Sequence, residues 1–204
     1  MQVSKASQPD FHIEDGIRPE HLELAVEGYW QAFSSKLRFP LGPERRALAF
    51  LREVVDPNHA ICAVSSHGRF LGVAGYKTQD GAFIGGTFSD MAAIYGIVGA
   101  TFRGLLIGAL ERPIEDGTLL MDGIFVSHEA RGLGVGSALL DAVERKAVSC
   151  GLTQVRLDVI DTNLRAQHLY QRRGFQEISV QSTGMLRHLF GFRSATTMIK
   201  AVGD

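Results

Sequence analysis

The 204-residue chain contains little cysteine and almost no net charge, and each scarcity excludes a class of site or partner. Its two cysteines, Cys62 and Cys150, show no CxxC or Cys/His spacing, and its seven histidines form no HExxH motif. We therefore expect free thiols and no metal site. A formal net charge of −1 gives no basic field that would attract nucleic acid or an anionic membrane, so neither is expected as a partner.

The first ten residues, MQVSKASQPD, contain neither an apolar h-region nor an Arg-rich amphipathic stretch. They indicate no export or transit signal, and together with unpaired thiols this favours a cytoplasmic location. We expect residues 1–10 to form a disordered tail. Because the chain is 45% hydrophobic and 21% charged, an ordinary globular composition, residues 11–204 are expected to form a single domain.

Strand and helix periodicities alternate along most of this domain. Apolar residues recur at helical spacing in LELAVEGYWQAF, ERRALAFLREVV, SALLDAVERKAVSC and NLRAQHLYQRR. Alternating or β-branched runs predict a first short strand near FHIED, a hairpin in AICAVSSHGRFLGVAGYKTQDGAF, and strands in LLMDGIFVS, TQVRLDVI, FQEISV and TTMIKAV. The pattern predicts an α/β fold.

Residues 84–118 interrupt this alternation with the apolar run MAAIYGIVGATFRGLLIGAL. Its length would suit a membrane span, but Arg103 in its middle would cost about 2.5 to 3.5 kcal/mol there, so we favour a soluble helical insertion. Gly96, Ala100, Gly104 and Gly108 fall four apart and would form a stripe of small residues on a helix. Close packing against the protein's own core is the first expectation for this stripe, with a dimer contact or a pocket wall as the alternatives.

The stretch SHEARGLGVGSALL, residues 127–140, places three glycines between a predicted strand and a predicted helix. Such a turn exposes unpaired N–H groups at the positive end of a helix, so it indicates a phosphate or pyrophosphate cradle. A plain glycine-rich turn is the alternative. No lysine follows the glycines, which excludes a Walker loop. Ser137 stands where GxGxxG requires glycine, although Asp158 lies near the position of a ribose-binding acid, so a nicotinamide site remains open.

A third pattern, Arg-x-x-Gly-x-Gly at Arg131, Gly134 and Gly136, resembles the pyrophosphate loop of the GCN5-related N-acetyltransferase (GNAT) family. The downstream stretch NLRAQHLYQRRGF resembles the second signature of that family, an Asn-x-x-Ala-x-x-Leu-Tyr helix followed by Gly-Phe. Asn163, Ala166, Leu169, Tyr170, Gly174 and Phe175 carry this second match. The resemblance covers residues 60–178 directly.

The resemblance implies a mixed, largely antiparallel central sheet of six to seven strands flanked by helices, with the helical insertion at 84–118. It also implies that acetyl-CoA, or another acyl-CoA, is the co-substrate and that no metal is needed. The residues expected to bind it are Ile124, Phe125 and Val126 on a strand, Arg131, Gly132, Leu133, Gly134, Val135, Gly136 and Ser137 in the loop, and Asn163.

Family members pass the acyl group directly to an amine, which requires a base for the amine and an acid for the departing thiolate. The resemblance places Tyr170 as the acid. Asp122 is the first choice for the base, since several relatives have a glutamate on this strand, and His128 is the alternative base. The acceptor is expected to be a small-molecule or peptide amine, more specifically a small, partly apolar one.

Other functions remain open beside acyl transfer. A non-catalytic acyl-CoA-binding regulatory module would keep the glycine turn without using Tyr170. A nicotinamide-dependent oxidoreductase would depend on the imperfect glycine spacing and Asp158. Exposed strand edges and the small-residue stripe favour a homodimer.

Overall fold

In the computed structural model, residues 10–108, 114–184, 187 and 191–203 are described. The predicted tail, residues 1–10, lies outside this part of the chain except for Asp10. One mixed sheet runs through the molecule, in the strand order β1-β2-β3-β5-β6-β8-β7, with the short β4 paired to β3. Every pair is antiparallel except β5 and β6. The predicted sheet of six to seven mostly antiparallel strands is confirmed.

The elements follow the predicted alternation along the chain. The strands are β1 (Phe11–Asp15), β2 (Ala60–Ser65), β3 (Phe70–Thr78), β4 (Gly81–Ala82), β5 (Thr118–Val126), β6 (Gln154–Ile160), β7 (Gln176–Ser182) and β8 (Ser194–Ala201). The helices are α1 (Leu22–Leu41), α2 (Glu44–Val54), α3 (Phe88–Gly108), α4 (Val135–Ser149) and α5 (Leu164–Arg172).

The sheet buries an apolar cluster on each face. On one face, α4 and α5 cover a cluster that includes Leu139, Leu140, Val155 and Leu157. On the other face, α1, α2 and α3 cover a cluster that includes Phe83. The site described below lies where β5, in the middle of the sheet, contacts both layers.

Two irregularities of β5 shape its surroundings. Thr118–Met121 pair in parallel with Gln154–Leu157, but beyond these residues β5 and β6 continue without pairing to each other, so the sheet splays. Against β3, Gly75 faces Gly123 whereas Tyr76 faces Met121. Asp122 is therefore the extra residue of a β-bulge, which bends the strand and redirects the side chains that follow.

Helix α1 lies unusually close to β5 because two glycines accept aromatic rings from the opposite element. A Cβ built on Gly28 would lie 2.4 Å from Phe125 Cδ1, and a Cβ built on Gly123 would lie 2.0 Å from Phe33 Cζ. No other residue type leaves this space for a ring. This packing of each ring on the glycine of the opposite element fixes α1 over the bulge and places Tyr29 of α1 beside it.

Helix α3 forms the predicted insertion but is kinked. Gly96 has a φ of 72°, which divides α3 into two helical segments. Residues 109–113 of the predicted insertion lie outside the described residues. Ala100 is fully buried, but a Cβ built on Gly96, Gly104 or Gly108 would meet nothing within 4 Å. The predicted close packing of the small-residue stripe is therefore wrong, because three of its four members are exposed.

Arg103, which interrupts the apolar run, is used within the protein. Its guanidinium carbon lies 4.2 Å from the centroid of the Tyr95 ring, and it donates a hydrogen bond of 3.1 Å to the Gly42 carbonyl. The Tyr95 hydroxyl donates to the carbonyl of Leu41. These contacts fasten α3 to the end of α1.

Among the described residues, α3 alone is both long enough and apolar enough to cross a membrane, judged by length and composition alone. Only 17% of its most apolar 18-residue window is buried inside the protein. Val98 and Leu105, which are 85% and 71% exposed, account for part of this open surface.

Candidate active site

A cavity of about 540 Å³ lies between the end of β5, the turn after it, α4 and α5. We call it the glycine-turn cavity. It brings together most of the residues predicted to bind the co-substrate. Its lining residues are Gln31, Ala32, Ile124, Phe125, Val126, Ala130, Arg131, Gly132, Gly134, Val135, Gly136, Ser137, Asn163, Arg165, Ala166, Leu169 and Arg172.

The glycine turn presents donors to this cavity. Gly132 and Gly134 both have a φ of 84°, a conformation that favours glycine, and a Cβ built on either would meet no protein atom within 4 Å. Gly134 is the residue before α4. Its carbonyl accepts the first intrahelical hydrogen bond, which the Ala138 amide donates. The amides of residues 135–137 therefore have no carbonyl partner within the helix and lie at its positive end.

Three guanidinium groups line the same cavity, those of Arg131, Arg165 and Arg172, and none of its described lining residues is an aspartate or glutamate. Arg131 Nε donates to the Val126 carbonyl at 3.4 Å, which ties this side chain to the end of β5. Planar guanidinium groups suit phosphate oxygens. The charge and the donor set fit a pyrophosphate.

Asn163 contributes from the other wall. Its Oδ1 accepts a hydrogen bond of 3.3 Å from the Ala166 amide and so caps the start of α5. The side-chain NH₂ group keeps its donors for a ligand. Leu133 differs from the other predicted loop residues: it is 62% exposed, does not line the cavity, and its amide donates to the Ala130 carbonyl at 3.4 Å.

Tyr170 lies beneath the cavity rather than in its wall. Its side chain is 5% exposed, packs with Phe175 at a centroid distance of 5.9 Å, and lines neither cavity described here. Burial raises the pKa of the Tyr170 hydroxyl well above its usual value. The group is therefore neutral and protonated across the physiological range.

A second cavity, of about 510 Å³, opens on the α1 side of β5, and we call it the aspartate cavity. Three carboxylates line it, those of Asp80, Asp122 and Asp158, together with Lys36 and Lys77. Apolar side chains from α1, α2 and α3 also line it, with Ile84 from the segment before α3: Leu37, Leu41, Phe50, Leu51, Ile84, Met91 and Ile107.

Asp122 and Asp158 occupy equivalent positions at the splay, because each directly follows the last paired residues of β5 and β6. Asp158 is already engaged: it accepts from Thr197 Oγ1 at 2.5 Å and lies 3.7 Å from Arg156. It faces the aspartate cavity and does not line the glycine-turn cavity, where a ribose-binding acid would belong.

Tyr29 is a site residue that the sequence analysis missed. It lines the aspartate cavity, and burial together with the charge of Asp122 raises the pKa of its hydroxyl well above the usual value. No local motif marks Tyr29; its place follows from the close packing of α1 on β5. His128, the alternative base, is exposed in the turn after β5 and lines neither cavity.

The two cavities thus meet on one strand. Residues 124–126 of β5 border the glycine-turn cavity, whereas Asp122 borders the aspartate cavity. The bulge at Asp122 separates the two, since it changes the direction of the strand between them. The arrangement can hold a phosphorylated ligand at the end of β5 and a cationic ligand beside Asp122.

Comparison with known proteins points to the same family that the two sequence motifs resemble. Thialysine N-epsilon-acetyltransferase of Bos taurus is 38% identical over 61 residues, 30% of this chain and 36% of that protein. The Mus musculus protein of the same name is 34% identical over 70 residues, 34% of this chain and 41% of that protein. The chain therefore matches less than half the length of these relatives.

Solved structures share the fold at low identity. A GCN5-related N-acetyltransferase from Kribbella flavida superposes with a TM-score of 0.64 at 16% identity, over 95% of this chain and 98% of that one. Ard1 from Thermoplasma volcanium gives 0.61 at 15% identity, over 96% and 99%. The model of the Acetyltransferase (GNAT) family matches residues 25–175. Because this match covers most of the chain, the protein belongs to the GNAT acetyltransferase family.

Proposed function

We propose that the protein is an acetyl-CoA-dependent N-acetyltransferase that acts on a small, partly apolar amine. The observation that carries the proposal is the pair of cavities meeting on β5, one lined by arginines and helix amides and the other by carboxylates. The family membership and the partial match to thialysine N-epsilon-acetyltransferases support transfer to an amine.

The glycine-turn cavity fits the donor. The turn amides and Arg131 would hold the pyrophosphate, and the open backbone of residues 124–126 would lie along the pantetheine arm, since β6 does not pair with β5 there. Bound acetyl-CoA supplies the acetyl thioester. Residues of this chain then have to hold the amine beside that thioester and remove its proton.

Asp122 is the residue proposed to take that proton. It lies at the boundary of the two cavities, so an amine in the aspartate cavity can approach the acyl end of the donor cavity and Asp122 together. A carboxylate held there lowers the cost of bringing an ammonium into the cavity and then accepts a proton from it. The apolar wall suits the carbon skeleton of a small amine rather than a polybasic tail.

We propose Tyr170 as the acid that protonates the departing thiolate, because its hydroxyl remains protonated and α5 also lines the donor cavity. Tyr170→Phe is then expected to lower kcat about 100-fold while the Kd of CoA stays unchanged. Initial-rate measurement of thiol release from acetyl-CoA with a panel of small amines, alongside calorimetry with CoA, checks both. Because burial raises the pKa of Tyr170, wild-type kcat should not fall through this group between about pH 7 and pH 10.

Tyr76→Phe is the matched control for this experiment. Tyr76 is 3% exposed, donates to the Asn58 carbonyl at 2.9 Å and lines neither cavity. Tyr76→Phe should lower the free energy of unfolding and leave kcat unchanged. An unchanged kcat in Tyr170→Phe would remove the acid role. No thiol release with any amine, combined with tight CoA binding, would favour a non-catalytic acyl-CoA-binding module, which the buried position of Tyr170 also fits.

A further inference from the structure

We infer that the amine acceptor also carries an anionic group, such as a carboxylate, and that Lys36 and Lys77 bind it in the aspartate cavity. The inference rests on the proposed function, since it concerns the acceptor of that reaction. It depends on the separation of opposite charges within one cavity.

Asp122 and Asp158 lie together at the splay of β5 and β6, whereas Asp80 lies three residues after Lys77, on the turn after β3. Lys36 follows Tyr29 on α1 by seven residues, about 10 Å along the helix axis, and Tyr29 lines the same cavity as Asp122. Lys77 pairs across the sheet with Leu120, two residues before Asp122 and about 7 Å away along the strand. Both lysines are therefore displaced from the bulge by several ångströms.

These two ammonium groups have no counterion among the residues that the structure describes. The other described lysines, Lys146 and Lys200, each pair with a carboxylate, at 2.6 and 2.7 Å. Lys36 and Lys77 form no such pair, although Asp80 lines the same cavity on the turn after β3. A half-buried ammonium without a partner gains more from an incoming anion than a fully hydrated one does.

The cavity wall also carries apolar side chains, among them Leu37, Leu41 and Met91. It fits a short hydrocarbon chain with an ammonium at one end and a carboxylate at the other, about 7 to 10 Å apart. In this orientation the ammonium reaches Asp122 and the carboxylate reaches the lysines. The reverse orientation would place the carboxylate beside Asp122 and Asp158, which repel it.

The test compares acceptors that differ only in the carboxylate. Acetylation rates are measured for ω-amino acids from 4-aminobutanoate to 8-aminooctanoate and for the alkylamines of the same chain length. Wild-type protein should prefer at least one amino acid over its alkylamine in kcat/KM. Lys36→Met and Lys77→Met should each raise KM for that amino acid about 10- to 100-fold and leave KM for the alkylamine unchanged.

Arg38→Met is the matched control, because Arg38 is exposed on the same helix and does not line the cavity. It should change neither KM. Alkylamines preferred at every chain length, or an equal effect of the lysine variants on both series, would overturn the inference while leaving N-acetyl transfer intact. Failure of the proposed function looks different: no amine of either series would release thiol. In that case, calorimetry of the CoA complex with the same amino acids still tests the inference, because absence of binding would overturn it.

Discussion

Gly134→Glu is expected to weaken CoA binding at least about 100-fold, or about 2.7 kcal/mol, while the protein stays folded. Gly134 lines the glycine-turn cavity directly before α4, and nothing within 4 Å blocks a side chain there. A carboxylate at this point would occupy the space and repel a pyrophosphate. Calorimetric titration with CoA, with thermal unfolding measured in parallel, gives both quantities.

Gly151→Glu is the control for this substitution. Gly151 also has a positive φ, 70°, has nothing within 4 Å of a built Cβ, and lies at the other end of α4 outside the cavity. Both variants carry a backbone cost of about 1–2 kcal/mol and the same added charge. Equal CoA affinities in the two variants would mean that the glycine turn connects β5 to α4 without binding the pyrophosphate of CoA.

Asp122→Asn should lower kcat/KM at least about 100-fold and leave the Kd of CoA unchanged. The amide keeps the shape of the side chain but cannot accept a proton, and general base catalysis contributes on this scale. The same variant leaves the glycine-turn cavity intact, because Asp122 does not line it. Steady-state kinetics with the best acceptor and calorimetry with CoA separate the two effects.

Two further aspartates test the assignment. Asp116→Asn, at an exposed turn before β5, should have no effect. Asp158→Asn changes the second carboxylate at the splay, which is already bonded to Thr197, and should cost less than Asp122→Asn. A large loss in Asp158→Asn beside normal kinetics in Asp122→Asn would transfer the base role to Asp158.

The sequence was sufficient to predict the elements and most of the residues that line the glycine-turn cavity, because local patterns determine both. A turn with glycines at 132 and 134, followed by a helix that begins with Val135 and Gly136, places its amides in one small volume, wherever the rest of the chain lies. The motif around Asn163 similarly brings α5 to the same cavity. These predictions needed only a strand, a turn and a helix in succession.

The aspartate cavity could not be predicted, because it depends on long-range packing and register. Tyr29 reaches Asp122 only because Gly28 and Gly123 let α1 approach β5. Asp158 faces the aspartate cavity because of where the parallel pairing of β5 and β6 ends. Gly96, Gly104 and Gly108 likewise have open space around them, where the small-residue spacing predicted close packing. The cytoplasmic location and the homodimer stay predictions.

Hydrogen exchange of the full chain with and without CoA tests the central claim, that the donor occupies the glycine-turn cavity beside the splayed end of β5. We expect slower exchange of backbone amides in residues 124–126 and 131–138, and around Asn163, with residues 77–82 at the aspartate cavity unchanged. Protection confined to the aspartate cavity, or no protection at saturating CoA, would contradict it.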